Sequence, residues 1–239
     1  MASYTGLIIK GIFETLYMVI ASTGLGYLFG LPLGVALAVT DENGIKPNKA
    51  AYRIMDFIVN IGRSIPFLIL LILLIPFTKM IVGKSYGTTA TIVPLTISAI
   101  PFIGRMVESS IKEVDHGVIE AAQSLGASTF TIIRKVLLGE ARISILNGAV
   151  IAVGTIIGYS AMAGAVGGGG LGDIAIRYGY YRYETEVMLV TVLIIIIMVQ
   201  LFQYLGNTLA IKLDRRKKKL IFYLSTYEGI VVYSDIKER

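Results

Sequence analysis

Few side chains in this sequence are equipped for bond-making chemistry. There is no cysteine and one histidine, His116, which leaves thiolate zinc sites, Fe–S clusters, disulfides and histidine catalysis almost nothing to work with. Two glycine patterns invite a nucleotide reading and fail it. Gly83-Lys84-Ser85 matches the end of a phosphate-binding loop, but the position that needs the earlier glycine holds Thr78. The run Gly167 to Gly172 satisfies G-x-G-x-x-G, yet it follows an apolar helix where a dinucleotide turn must follow a strand. An enzyme working inside apolar segments would need paired acids, a Ser-His or Ser-Lys dyad, or metal ligands there. Apart from Asp56 and Arg63, none is present. No catalytic, cofactor or metal residue is therefore assigned.

The elements that carry these residues are apolar. Hydrophobic residues make up 55% of the 239, charged residues only 16%, and the mean hydropathy is +0.74, whereas soluble domains run near a quarter charged. A bilayer core needs about 20 apolar residues per helix, and five stretches meet this: 12–39, 54–77, 88–107, 143–166 and 187–211. The first, preceded by one lysine, carrying Glu14 and longer than a signal-peptide core, reads as a retained span. The net charge of +6 sorts by side. Sixteen Lys and Arg fall on the side of the 41–53 loop, the 108–142 segment and the tail after Lys212, against five on the other. The positive-inside rule then puts the N-terminal 1–11 outside and the 212–239 tail in the cytoplasm. The basic residues flank apolar runs instead of forming a soluble basic face, so no nucleic-acid partner is expected. The expected fold class is all-α: a multi-pass membrane bundle of five helices over 12–211.

Gly26, Gly30 and Gly34 recur every four residues, and Gly154 and Gly158 repeat the step, a spacing suited to close helix packing or to gating. Pro32, Pro66, Pro94 and Pro101 lie within or near spans and are expected to kink them. Arg63 must face protein, water or the interface, because a charge at the bilayer centre costs at least about 2.5–3.5 kcal/mol. Asp56, seven residues earlier, shares its face. Either both sit at the cytoplasmic interface, or Arg63 lines an inner vestibule or grips a neighbouring helix.

Residues 108–142 break the apolar pattern. Ile119, Ala122 and Leu125 mark one helical face, Gly126 is a natural stop and Ser128 a natural N-cap; Phe130, Ile133 and Leu137 form a second stripe. The expected product is a short helix, a turn and a second amphipathic helix, able to dock on a partner. The run Glu120-Ala121-Ala122, three residues, Gly126, nine residues, Val136, one residue and Leu138 resembles the EAA signature of bacterial ABC importer permeases. In that family this segment is the coupling helix that enters a cleft on the cytoplasmic ATPase. The signature usually closes on proline; Gly139, also a helix breaker, stands in its place and is expected to keep the turn.

A second block, 159–188, resembles the corresponding region of methionine-uptake permeases of the type I importer fold, and the likeness covers about 5–217. That resemblance implies a homodimer of this subunit, two ATPase subunits that bind the ATP and Mg, and an extracytoplasmic methionine-binding lipoprotein in a bacterial inner membrane. It also implies alternating access for D- and L-methionine, with a permease for another small amino acid or organic anion as the alternative. Tyr159, Ser160 and Met162 punctuate a span of small residues and are candidates, with Arg63, for the translocation path; for Met162 a gate competes with helix or lipid contact. The glycine run after Met162 reads as a flexible external loop. Tyr178, Tyr180, Tyr181 and Tyr183 suit either an interfacial aromatic belt or docking of the binding protein. The basic cluster after Lys212 suits anionic lipid headgroups.

Overall fold

The computed structural model describes residues 4–214, and every regular element among them is helical. The first, α1 (Thr5–Thr40), has 36 residues; at 1.5 Å per residue it is about 54 Å long, well beyond a hydrocarbon core of roughly 30 Å. It lies along α5 (Thr88–Lys112), the central helix, which also meets the second, third, fourth and eighth helices. The seam is made by the expected glycines. A Cβ on Gly26 would sit 2.9 Å from the Ala99 Cβ, one on Gly30 2.9 Å from the Ile100 carbonyl, and one on Gly34 2.6 Å from the Val107 Cβ. With no hydrophobic drive between helices in lipid, backbone proximity of this kind carries association. Around the seam Met18, Leu37, Leu95, Ile103 and Val107 are fully buried.

The second apolar stretch departs from the straight span expected over 54–77. It is cut into α2 (Lys49–Ser64), α3 (Phe67–Leu73) and α4 (Ile75–Val82), with a bend of 100° between α2 and α3. Pro66 explains the cut: it offers no N–H, and it forces Ile65 into extended backbone, φ −81° and ψ 122°. Pro32, Pro94 and Pro101, by contrast, lie within uninterrupted helices.

After α5 the chain forms α6 (His116–Ser124) and α7 (Thr129–Thr131), then a π-helical segment (Ile132–Leu137) that runs directly into α8 (Leu138–Ala163). A 3-10 turn (Gly164–Val166), α9 (Gly170–Ile174), a second π segment (Ala175–Tyr180) and α10 (Thr185–Leu213) complete the bundle. Four runs are long and apolar enough to cross a membrane, namely α1, α5, Thr129–Val166 and α10, and the bent α2–α3 pair makes five. Their outer faces, such as Leu189, Leu193, Ile197 and Leu201 on α10, are apolar and unpacked. The second glycine row differs from expectation, since Gly158 meets nothing within 4 Å and Gly154 only the tips of Val199 and Gln203. Beyond Asp214 the basic tail lies outside the described residues.

Candidate functional site: a coupling segment and the charges behind it

The spacing of the EAA run has a structural reason. Asp115 caps α6 by accepting from the Gly117 N–H at 2.7 Å. At the far end Gly126, with φ +75°, donates to the Gln123 carbonyl at 2.9 Å, and the Ala127 N–H donates to the Ala122 carbonyl at 3.1 Å. These two bonds are a Schellman closure, in which the glycine takes the left-handed position that a Cβ would oppose. Ser128 then starts the next helix by accepting from the Thr131 N–H. The notebook of apolar faces inverts at two places, however. Ile119 and Ala122 turn inward, while Leu125 is 88% exposed at the cap and Phe130 68% exposed beyond it. Together with exposed Glu120 and Ala121 they form an outward face with no partner in the chain. The second amphipathic helix is also continuous with span four. Val136, Leu138 and Gly139 lie in this unbroken run, so Gly139 produces no turn. It has open space around it and the helical hydrogen-bond ladder carries through.

Behind α6 lies a set of charges that the sequence reading did not assemble. Glu108, on α5, is 1% exposed and receives three partners: Arg105 Nη1 at 2.7 Å, Lys112 Nζ at 2.8 Å and the Tyr52 hydroxyl at 3.1 Å. Arg105 also pairs with Asp56 on α2 and donates to Asn60 Oδ1 at 2.9 Å, while Asn60 donates back to Asp56 at 3.0 Å. Lys112 reaches Asp41, just after α1, at 2.8 Å. The set therefore ties the ends of α1, α2 and α5. Stripping a buried charge of its partner costs about 3–5 kcal/mol, so Glu108→Leu with the cations left in place is expected to cut the yield of folded subunit, read as monodisperse protein after solubilisation. The signal was present in the spacing: Arg105, Glu108 and Lys112 fall three and four apart on one face of an otherwise apolar helix.

The Lys112 ammonium and then the Asn43 N–H hold the Asp41 carboxyl below the usual carboxylate range. A carboxylate with a lowered folded-state pKa stabilises above its unfolded value of about 3.9 and loses that contribution as pH falls through the folded value. Asp41→Asn is accordingly expected to lower the melting temperature at neutral pH, with the gap to the parent protein closing as pH drops from 5 towards 3. A gap independent of pH would remove Asp41 from the tie.

The path candidates separate. Tyr159 stacks flat on Phe67 of α3, centroids 4.6 Å apart, and so pins the helix after the bend to α8. Ser160 is 2% exposed with its hydroxyl donated to the Ile157 carbonyl, facing the bundle interior. Met162 is 52% exposed, on the same open strip of α8 as Ile151 and Gly158. Arg63 ends α2 on the surface, away from Asp56, whose partners are Arg105 and Asn60.

The glycine run is anchored, contrary to the flexible loop expected. Glu14 accepts from the Gly170 N–H at 2.9 Å, Thr15 accepts from the Leu171 N–H at 3.0 Å, and Thr91 donates to the Gly168 carbonyl at 3.2 Å. Gly167, Gly169 and Gly170 all have positive φ, and Gly172 packs on the Ala161 backbone. This is a close helical return, with no cradle for phosphate. Gly83 ends α4 in a left-handed cap, so Lys84 does not open a helix as a phosphate-loop lysine must. Among the described residues no cluster of acidic or histidine side chains is arranged to hold a metal.

Comparison with known proteins agrees with this geometry. A permease of Vibrio cholerae serotype O1, described as a probable D-methionine transport system permease protein, is 51% identical over 210 residues, covering 88% of this chain and 93% of its own. The solved inward-facing MetNI methionine ABC transporter superposes at a TM-score of 0.89 with 46% identity, over 90% of this chain and 100% of the matched one. A solved amino acid ABC transporter with histidines superposes at 0.74 with 25% identity, over 89% of this chain and 97% of the matched one. A family model covers residues 30–219. The chain belongs to the family of binding-protein-dependent transport system inner membrane components.

Proposed function

We propose that this chain is the permease subunit of an ATP-driven importer that carries methionine, in its D- and L-forms, across the bacterial inner membrane. The observation that carries the reading is the closed α6 turn, which leaves Glu120, Ala121, Leu125 and Phe130 as an unpartnered face at one end of a membrane bundle. In this reading the face sits in a cleft of a separate cytoplasmic ATPase, which binds the ATP and Mg. Two copies of the chain form the path and two ATPases drive it. The N-terminus is outside, where a methionine-binding lipoprotein delivers the amino acid, and the segment after α10 is cytoplasmic, as the sixteen-to-five distribution of Lys and Arg requires.

Met162, exposed on α8 one turn beyond Tyr159, is positioned to close the path against its copy across the dimer axis. Met162→Ala is expected to raise ATP-independent leak of methionine in proteoliposomes; leak equal to that of the parent would assign Met162 to helix or lipid contact.

The test of function is labelled methionine uptake by vesicles holding the permease, its ATPase and its binding protein. ATP-dependent accumulation of methionine is the expected result. Accumulation of a different amino acid alone would favour the second reading, to which the likeness to another amino acid transporter lends support.

A further inference from the structure

We infer that the charges around Glu108 are the joint through which movement of the coupling segment reaches the broken second span, an inference that rests on the importer reading. Only Glu113, Val114 and Asp115 separate the end of α5 from α6, so the last turns of α5 must follow the coupling segment. On those turns Arg105, Glu108 and Lys112 grip α2 through Tyr52, Asp56 and Asn60, and grip the end of α1 through Asp41. Farther along, Gly62 of α2 seats against Pro101 of α5. Past the 100° bend, α3 presents Phe67 to Tyr159 on α8, one turn from Met162. The route from the ATPase face to the path thus passes through α5, crosses to α2 and turns the corner into α3.

Because Glu108 is almost fully buried and all its partners are charged or hydroxyl groups, separating α2 from α5 would strand a charge. The joint therefore stays closed while the two helices move together. Asp56, Arg105, Glu108 and Lys112 are positioning residues in this account, since none touches substrate or nucleotide.

The cysteine-free chain allows a direct test. Asp56→Asn weakens the grip on α2 while leaving Arg105, Glu108 and Lys112 paired with one another. Reconstituted with its ATPase and binding protein, this variant is expected to assemble and hydrolyse ATP but to import about tenfold less methionine per ATP. A Cβ on Gly62 would lie 3.2 Å from that of Pro101, close to the spacing of a disulfide. Adding Gly62→Cys and Pro101→Cys to Asp56→Asn should restore import on oxidation and lose it again on reduction, each measured against the reduced double-cysteine protein. With Asp56 intact the oxidised bridge should leave import unchanged.

Two results would overturn the joint: parental import per ATP in Asp56→Asn, or arrest of import by the bridge when Asp56 is intact. Loss of import in strict proportion to loss of assembled protein would also count against it, by making the charges structural only. Absence of ATP-driven uptake in the parent protein would bring down the importer reading itself, and the joint with it.

Discussion

Gly34→Leu is expected to prevent accumulation of the folded subunit. The position faces the Gly104 carbonyl and the Val107 side chain across the α1–α5 seam, with the Val107 Cβ only 2.6 Å from where the first added carbon would stand. Overpacking of a tight core site costs about 1–3 kcal/mol and more where backbone is the obstacle. Here a carbonyl of the opposite helix is the obstacle, and it cannot rotate away as a side-chain end would. Membrane-inserted, monodisperse protein should therefore fall by about tenfold or more, the equivalent of about 1.4 kcal/mol. Gly158→Leu serves as the control, because Gly158 lies in open space within the chain. Its folded yield as an isolated subunit should stay near that of the parent. Equal yields for the two variants would show that the seam tolerates separation and that the glycine spacing is incidental.

The second large effect is at the coupling turn, where the chain should fold and fail to work. Gly126 has φ +75°, and its N–H and that of Ala127 close α6 on Gln123 and Ala122. A β-branched residue there opposes the left-handed conformation, which costs about 1–2 kcal/mol for an ordinary L-residue, while asparagine enters that region readily. Gly126→Val is expected to reduce ATP-driven methionine uptake by about tenfold with the bundle intact, since the penalty shifts a turn that packs against nothing in this chain. Gly126→Asn should retain most uptake. If both variants fail equally, the turn's conformation is irrelevant and the added bulk against the ATPase is at fault. Equal success of both would remove Gly126 from coupling.

The contrast between these two glycines marks what could be read in advance. Repeats at four-residue spacing disclosed the α1–α5 seam, because close approach is the one thing glycine offers mid-helix. The same argument failed for Gly158, because spacing reports the possibility of contact and only the neighbouring helix decides it. The stop at Gly126 and the cap at Ser128 were legible because each depends on local backbone geometry. Leu125 and Phe130 were misplaced because an apolar stripe was assumed to face the bundle, whereas this element keeps apolar side chains for another molecule.

The second span and the charges beside it were the least legible parts. A hydropathy window adds residues regardless of direction, so Ile54 to Phe77 registered as one helix although Pro66 turns it through 100°. Asp56 was matched with Arg63 on its own helix, since helical periodicity relates residues only within one element. Its actual partner, Arg105, lies 49 positions away and becomes a neighbour only when α2 folds back along α5. The glycine run after α8 looked loose for a related reason. Its restraints come from Glu14, Thr15 and Thr91, all distant in sequence.

The bend at Pro66 also bears on how the protein is made. With 7 residues, α3 extends about 10 Å, and α4, with 8, about 12 Å, so neither reaches across a bilayer unaided. The charged face of α2 disfavours burial until Arg105, Glu108 and Lys112 have been synthesised to meet it. Chain order places those residues after α4. The second hydrophobic segment must therefore be completed retroactively, its seat in the membrane supplied by a helix that emerges from the ribosome later, so that biogenesis of this permease runs from α5 back towards α2.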